Sequence, residues 1–187
     1  MTSSQISGGR DVVAYLVSQH EHIKTLFEKV TKTTGDEREQ NFTALRRLLA
    51  VHETAEEEVV HPRARRELDD GEDVVGARLQ EENEAKQTLA ELEKLDLGSA
   101  EFEKLFQEFQ SDVLKHAEAE EQQEFARLAD ELDADQLERM RRAVEIAEST
   151  APTHPHAGVE SAKANMLAGP FAAMIDRARD LMSGQSG

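Results

Sequence analysis

The chain contains no cysteine and no tryptophan, and only one tyrosine and four prolines in 187 residues. Without cysteine there are no disulfides, zinc fingers, iron–sulfur clusters or thiol nucleophiles. Any metal must then be held without thiolate, which points to imidazole and carboxylate as the main donors. No apolar run approaches the length of a membrane span, and the opening stretch, MTSSQISGGR, lacks the apolar centre of a signal peptide. Positive charge is scarce as well. Lysine and arginine number 22 against 39 aspartates and glutamates, a formal net charge of −17. That disfavours nucleic acid and anionic membranes as partners, because like charges repel. These absences lead us to expect a cytoplasmic protein.

What is present is helical patterning. Apolar content of 38% beside 33% charged residues suits a soluble helical protein with a full core. The apolar residues step by threes and fours and nowhere alternate as in a strand. Asp11 is placed to cap a first helix with the stripe Val13, Leu16, His20, Ile23, Phe27 and Val30, interrupted near Gly35. A second stripe runs Phe42, Leu45, Leu49, His52, Glu56 and Val59, and stops near Pro62. Asp73 is the expected cap of a third helix carrying Val75, Leu79, Glu82, Leu89 and Leu92. Ser99 is the expected cap of a fourth, with Phe102, Phe106, Phe109, Val113, His116, Glu120 and Gln123. Short connections between such helices predict an all-α antiparallel four-helix bundle over residues 1–130. Residues 131–187 read as a C-terminal helical extension: the helix DADQLERMRRAVEIAEST, the Pro-rich loop APTHPHAG, a segment with Phe171 and Met182 on one face, and a flexible tail.

Every one of the four stripes carries imidazole or carboxylate. HETAEEEVVHP from His52 and HAEAEEQQEF from His116 repeat one phrase, a histidine with glutamate four residues on. Spacing alone proves little: three of seven histidines have an acid there, against about one and a half expected in so acidic a chain. Position on the helix is the stronger argument. His20, His52, Glu56, Glu82, His116 and Glu120 all fall on faces that should be dry, at about one level of the bundle; no lysine or arginine shares those positions, and Lys86, one turn after Glu82, comes nearest. Buried carboxylates persist only when paired or bound to metal. Six such ligands exceed what one four-coordinate zinc needs, so two cations are expected. Iron, manganese and zinc all suit this donor set. Glu57 and Glu121 follow one residue later, turned about 100° from the histidine face, and are expected to matter less.

This order of residues resembles the hemerythrin-like, or HHE cation-binding, family across roughly residues 11–130. The resemblance implies two non-haem iron ions, oxo- or hydroxo-bridged, with His20 on one iron, His52 and His116 as further imidazoles, and Glu56 and Glu120 as bridging carboxylates. It also implies small oxidants (dioxygen, peroxide or nitric oxide) as ligands. The family's third-helix histidine is missing: no histidine lies between His61 and His116. Glu82 is the expected replacement, with Glu53 and Glu81 as alternatives or the position left open to water or substrate; Glu53, beside the stripe, reads first as a solvated edge residue. Harder oxygen ligands favour the ferric state and weigh against reversible oxygen carriage. The favoured expectation is therefore catalase-like peroxide decomposition or redox sensing in a stress response. Iron storage or buffering without turnover is the alternative, and a purely structural bundle the third. His61, His154 and His156 are expected away from the main site, His22 at the rim, and Tyr15 in helix packing.

Overall fold

The computed structural model describes residues 11–151. The Pro-rich loop with His154 and His156, the segment around Phe171 and the tail lie outside the described residues. Helix α1 spans Val12–Lys32 and α2 spans Gly35–Ala55. A π-helical turn, π1 (Glu56–Val60), carries α2 into α3 (His61–Glu67). Helix α4 is Gly71–Leu92, and α5 (Ala100–Glu120) runs through a second π turn, π2 (Glu121–Phe125), into α6 (Ala126–Glu131). Helix α7, Ala134–Thr150, follows. The four rods α1, α2–α3, α4 and α5–α6 form the expected bundle.

Local chemistry accounts for most of the ends. The Asp11 carboxylate accepts from the Ala14 N–H at 2.8 Å, and the Ser99 hydroxyl from the Phe102 N–H at 3.1 Å. Asp133 and Gln136 form a reciprocal capping box that starts α7. Gly35 turns the chain into α2 at a φ of 57°, a left-handed conformation that glycine adopts without steric cost. Helix α4 begins earlier than the sequence suggests, with Asp70 rather than Asp73 at its N-cap. The Asp70 carboxylate pairs with Arg127 instead of capping. The turn there is set by close approach: a Cβ on Gly71 would lie 2.5 Å from the Ala64 carbonyl oxygen.

The apolar interior is divided in two. One cluster gathers Ile23, Phe27, Leu45, Leu49, Leu89, Phe106, Phe109 and Val113. The other gathers Leu16, Val60, Val75, Phe125 and Leu128, together with Met140, Val144 and Ala147 from α7. Helix α7 thus shares the core of the bundle. Between the clusters, each rod passes from one to the other through polar residues: His20 in α1, His52 and Glu56 in α2–π1, Glu82 and Lys86 in α4, His116 and Glu120 in α5. No helix among the described residues is long and apolar enough to cross a membrane.

Candidate metal centre

Two groups of ligand atoms meet in this polar layer. His20, His52, Glu56 and Glu120 each place one nitrogen or oxygen within 4.8 Å of all the others, and so do His61, Glu82 and Glu120. Glu120 belongs to both. His116 stands beside them, its Nε2 3.2 Å from Glu120 Oε1. Five of the six residues expected from the sequence therefore fall within these groups, and the sixth touches their shared carboxylate.

His61 was expected elsewhere, and the structure corrects this. It is 1% exposed, with Nε2 2.7 Å from Glu82 and Nδ1 2.9 Å from Glu124. In a regular α-helix, five residues rotate a side chain about 140° away from its starting face. The π turn removes that offset. The His61 N–H bonds to the Glu56 carbonyl, five residues back, so His61 returns beneath Glu56. Glu124 was also missed, although a four-residue step from Glu120 reaches it; the expected stripe ran instead to Gln123, which is exposed. Glu124 is fully buried.

The outer nitrogens of the imidazoles are anchored. His20 Nδ1 lies 2.8 Å from Glu121, His116 Nδ1 2.8 Å from Glu81, and His52 Nδ1 2.6 Å from the Gln19 carbonyl oxygen. Each leaves its Nε2 facing the layer, an arrangement usual for metal-binding histidines. The expected solvated edge is different too. Glu53 is buried and 3.6 Å from Lys86, whose ammonium also pairs with Glu57 and lies 3.6 Å from Glu82. A lysine does share the inward face of α4, and it offsets part of the carboxylate charge.

The inner atoms fit a cation. Both oxygens of Glu56 and of Glu120, one oxygen each of Glu82 and Glu124, and His116 Nε2 are buried without a well-aligned hydrogen bond, although Glu120 lies 3.2 Å from His116 Nε2 and 3.3 Å from His20 Nε2. Orphaned buried acceptors are costly and uncommon. Protons substitute where no cation is present. Burial, with the charge of Glu120, pushes Glu56 well above the carboxylate range. Burial opposes charge on His61 and His116, yet Glu124 and Glu82 raise the first, and Glu120 the second, well above an ordinary imidazole. Burial likewise opposes charge on Glu120, but His116 and His20 hold it well below the usual range. Burial and the neighbouring His20 push His52 down to about 3, so it is neutral and ready to ligate.

A cavity of about 360 Å³ reaches this layer. Its exposed lining, Glu84, Asp112 and Lys115, comes from α4 and α5, so it opens between those helices. Leu49, Phe109 and Val113 line it, and His20, His52, His116 and Glu120 stand within it.

Imidazoles and carboxylates converging from four helices on one buried layer define a metal-binding four-helix bundle. The hemerythrin HHE cation-binding domain matches residues 11–128, and the chain belongs to that family. A crystal structure of a hemerythrin HHE cation-binding domain-containing protein from Mycobacterium kansasii is similar in fold, with a TM-score of 0.66 at 18% identity, over 74% of this chain and 85% of that one. No curated protein is a significant match in sequence.

Proposed function

We propose that the layer holds two non-haem iron ions and reacts with a small oxidant (dioxygen, peroxide or nitric oxide). One ion is held by His20, His52, Glu56 and Glu120, the other by His61, Glu82 and Glu120, with His116 completing the shell beside Glu120. The observation that carries this reading is the sharing of Glu120 between two compact ligand groups. A carboxylate has two oxygens and can serve two cations. Bound there, the ions supply Lewis acidity and electrons to a ligand entering from the cavity.

The chain's own residues do the rest. Leu49, Phe109 and Val113 limit water in the cavity, and its size admits only small molecules. Lys86 offsets charge on Glu57 and Glu82, away from the shared carboxylate. The donor set is rich in anionic oxygen, which favours the ferric state and oxidant chemistry over reversible oxygen carriage. Protein purified from iron-replete cells should contain about two irons per chain, as other carboxylate-bridged bundles do, and should consume peroxide. Less than one metal per chain, or zinc alone, overturns the iron reading. Full iron occupancy without peroxide consumption would instead favour sensing of dioxygen or nitric oxide, or iron buffering.

A further inference from the structure

One helix outside the four-rod bundle reaches the centre. Glu148, near the end of α7, takes a hydrogen bond on each oxygen: Tyr15 Oη donates to Oε2 and Gln19 Nε2 donates to Oε1, both at 2.6 Å. Gln19 in turn meets His52 Nδ1 through its carbonyl oxygen, also at 2.6 Å. The other two anchored imidazoles, His20 and His116, bond directly to carboxylates of π2 and α4. His52 is tied to α7 through an amide.

We infer that Glu148 is a positioning residue for the metal centre, fixing His52 through Gln19 with its proton on Nδ1 and its Nε2 lone pair turned inward. The logic is one of donors and acceptors. An ionised carboxylate only accepts, so Gln19 must offer its NH2 group to Glu148 and cannot flip. Its carbonyl oxygen then faces His52, and a carbonyl only accepts, so Nδ1 must carry the proton. A neutral imidazole has one proton, which leaves Nε2 bare. That nitrogen lies 3.3 Å from Glu56 Oε2 and 3.0 Å from His20 Nε2, inside the first ligand group. Tyr15 occupies the second oxygen of Glu148 and restrains the carboxylate. The chain is a clamp rather than a proton wire, because an amide does not readily pass a proton on.

This inference rests on His52 being a ligand of the proposed centre, so its test has a readout that needs no metal. Nitrogen–proton correlation spectra of the metal-free protein report the tautomer of each histidine, and iron titration reports affinity. The unmodified chain should show His52 with its proton on Nδ1. Gln19→Leu and Glu148→Leu should lose that single tautomer and bind iron on the order of tenfold or more weakly, as loss of an outer partner typically does. The ring-nitrogen signals of His20 and His116, whose outer partners are untouched, should not change. Glu148→Gln keeps the shape of the side chain and covers the case in which the leucine variants fold poorly. Its amide can donate, so Gln19 is free to turn over and His52 should become a mixture of tautomers. A proton on Nε2 in the unmodified chain, or an unaltered tautomer and affinity in all the variants, overturns the inference. A chain that takes up no metal but keeps His52 protonated on Nδ1 sinks the metal reading and leaves the clamp standing.

Discussion

At the scale of single residues, the sharing of Glu120 sets it apart from its neighbours. It is fully buried, belongs to both ligand groups, and has no well-aligned hydrogen bond on either oxygen. Glu120→Ala should therefore lose both metals. His61→Ala removes a ligand from one group only and should leave about one metal per chain, because the other four donors remain. Metal analysis of the two purified variants checks the difference; equal loss would mean that the groups do not fill independently. Tyr15 offers a second residue-level test. Burial, then its hydrogen bond to Glu148 and that carboxylate's charge, raises its phenol to about 12. It is the chain's only tyrosine and there is no tryptophan, so its ultraviolet titration is uncluttered. The folded pKa lies above the unfolded value of about 10. Its stabilisation is thus complete below pH 10 and is lost as pH rises toward 12. Ultraviolet titration should place the phenolate midpoint near 12, and Glu148→Gln should move it down.

At the scale of elements, the turn between α3 and α4 and the two π turns shape the end of the bundle beside the site. Gly71 lies under the backbone of Ala64 and Arg65, where a methyl group has no room. Gly71→Ala should cost about 1–3 kcal/mol, as overpacking usually does. Gly76, in the same helix, has nothing within 4 Å of a built Cβ. Gly76→Ala should stabilise by roughly 0.5–1 kcal/mol through helix propensity alone. Denaturant unfolding of the pair checks both signs in one helix. The π turns show why part of the site escaped the sequence. Helical counting from Glu56 sends His61 off the inner face, whereas the extra residue in π1 brings it back. Glu53 and Lys86 were misjudged for another reason. Both flank the inward faces, and their burial depends on how tightly α2 and α4 meet around the carboxylates.

At the scale of the whole molecule, the polar layer splits the apolar core into two clusters, each with its own set of aliphatic and aromatic side chains. The buried, unpartnered carboxylate oxygens between them oppose folding unless a cation is bound. Metal at a hundred times its dissociation constant adds about 2.7 kcal/mol to the folded state. For a chain of this size that corresponds to roughly 5–10 °C in the melting temperature. Chelation should lower the melting temperature by about that much, and identical melting of the chelated and loaded protein would contradict a layer built for metal. Calorimetry on both forms decides it.

The sequence by itself determined the four rods and five of the six residues in the two ligand groups: His20, His52, Glu56, Glu82 and Glu120 lie where the stripes put them. Those positions repeat every three or four residues, and that periodicity is local, so it is legible without knowing the fold. The absence of cysteine likewise removed thiolate from the possible donors before any geometry was known. Only the tertiary structure decided the rest. It brought His61 and Glu124 together from positions 63 residues apart, buried Lys86 against Glu57, and joined Tyr15 to Glu148 across 133 residues. The physical reason is that such contacts depend on local departures from α-helical pitch and on packing between distant elements, and neither is carried by the spacing of residues along one helix.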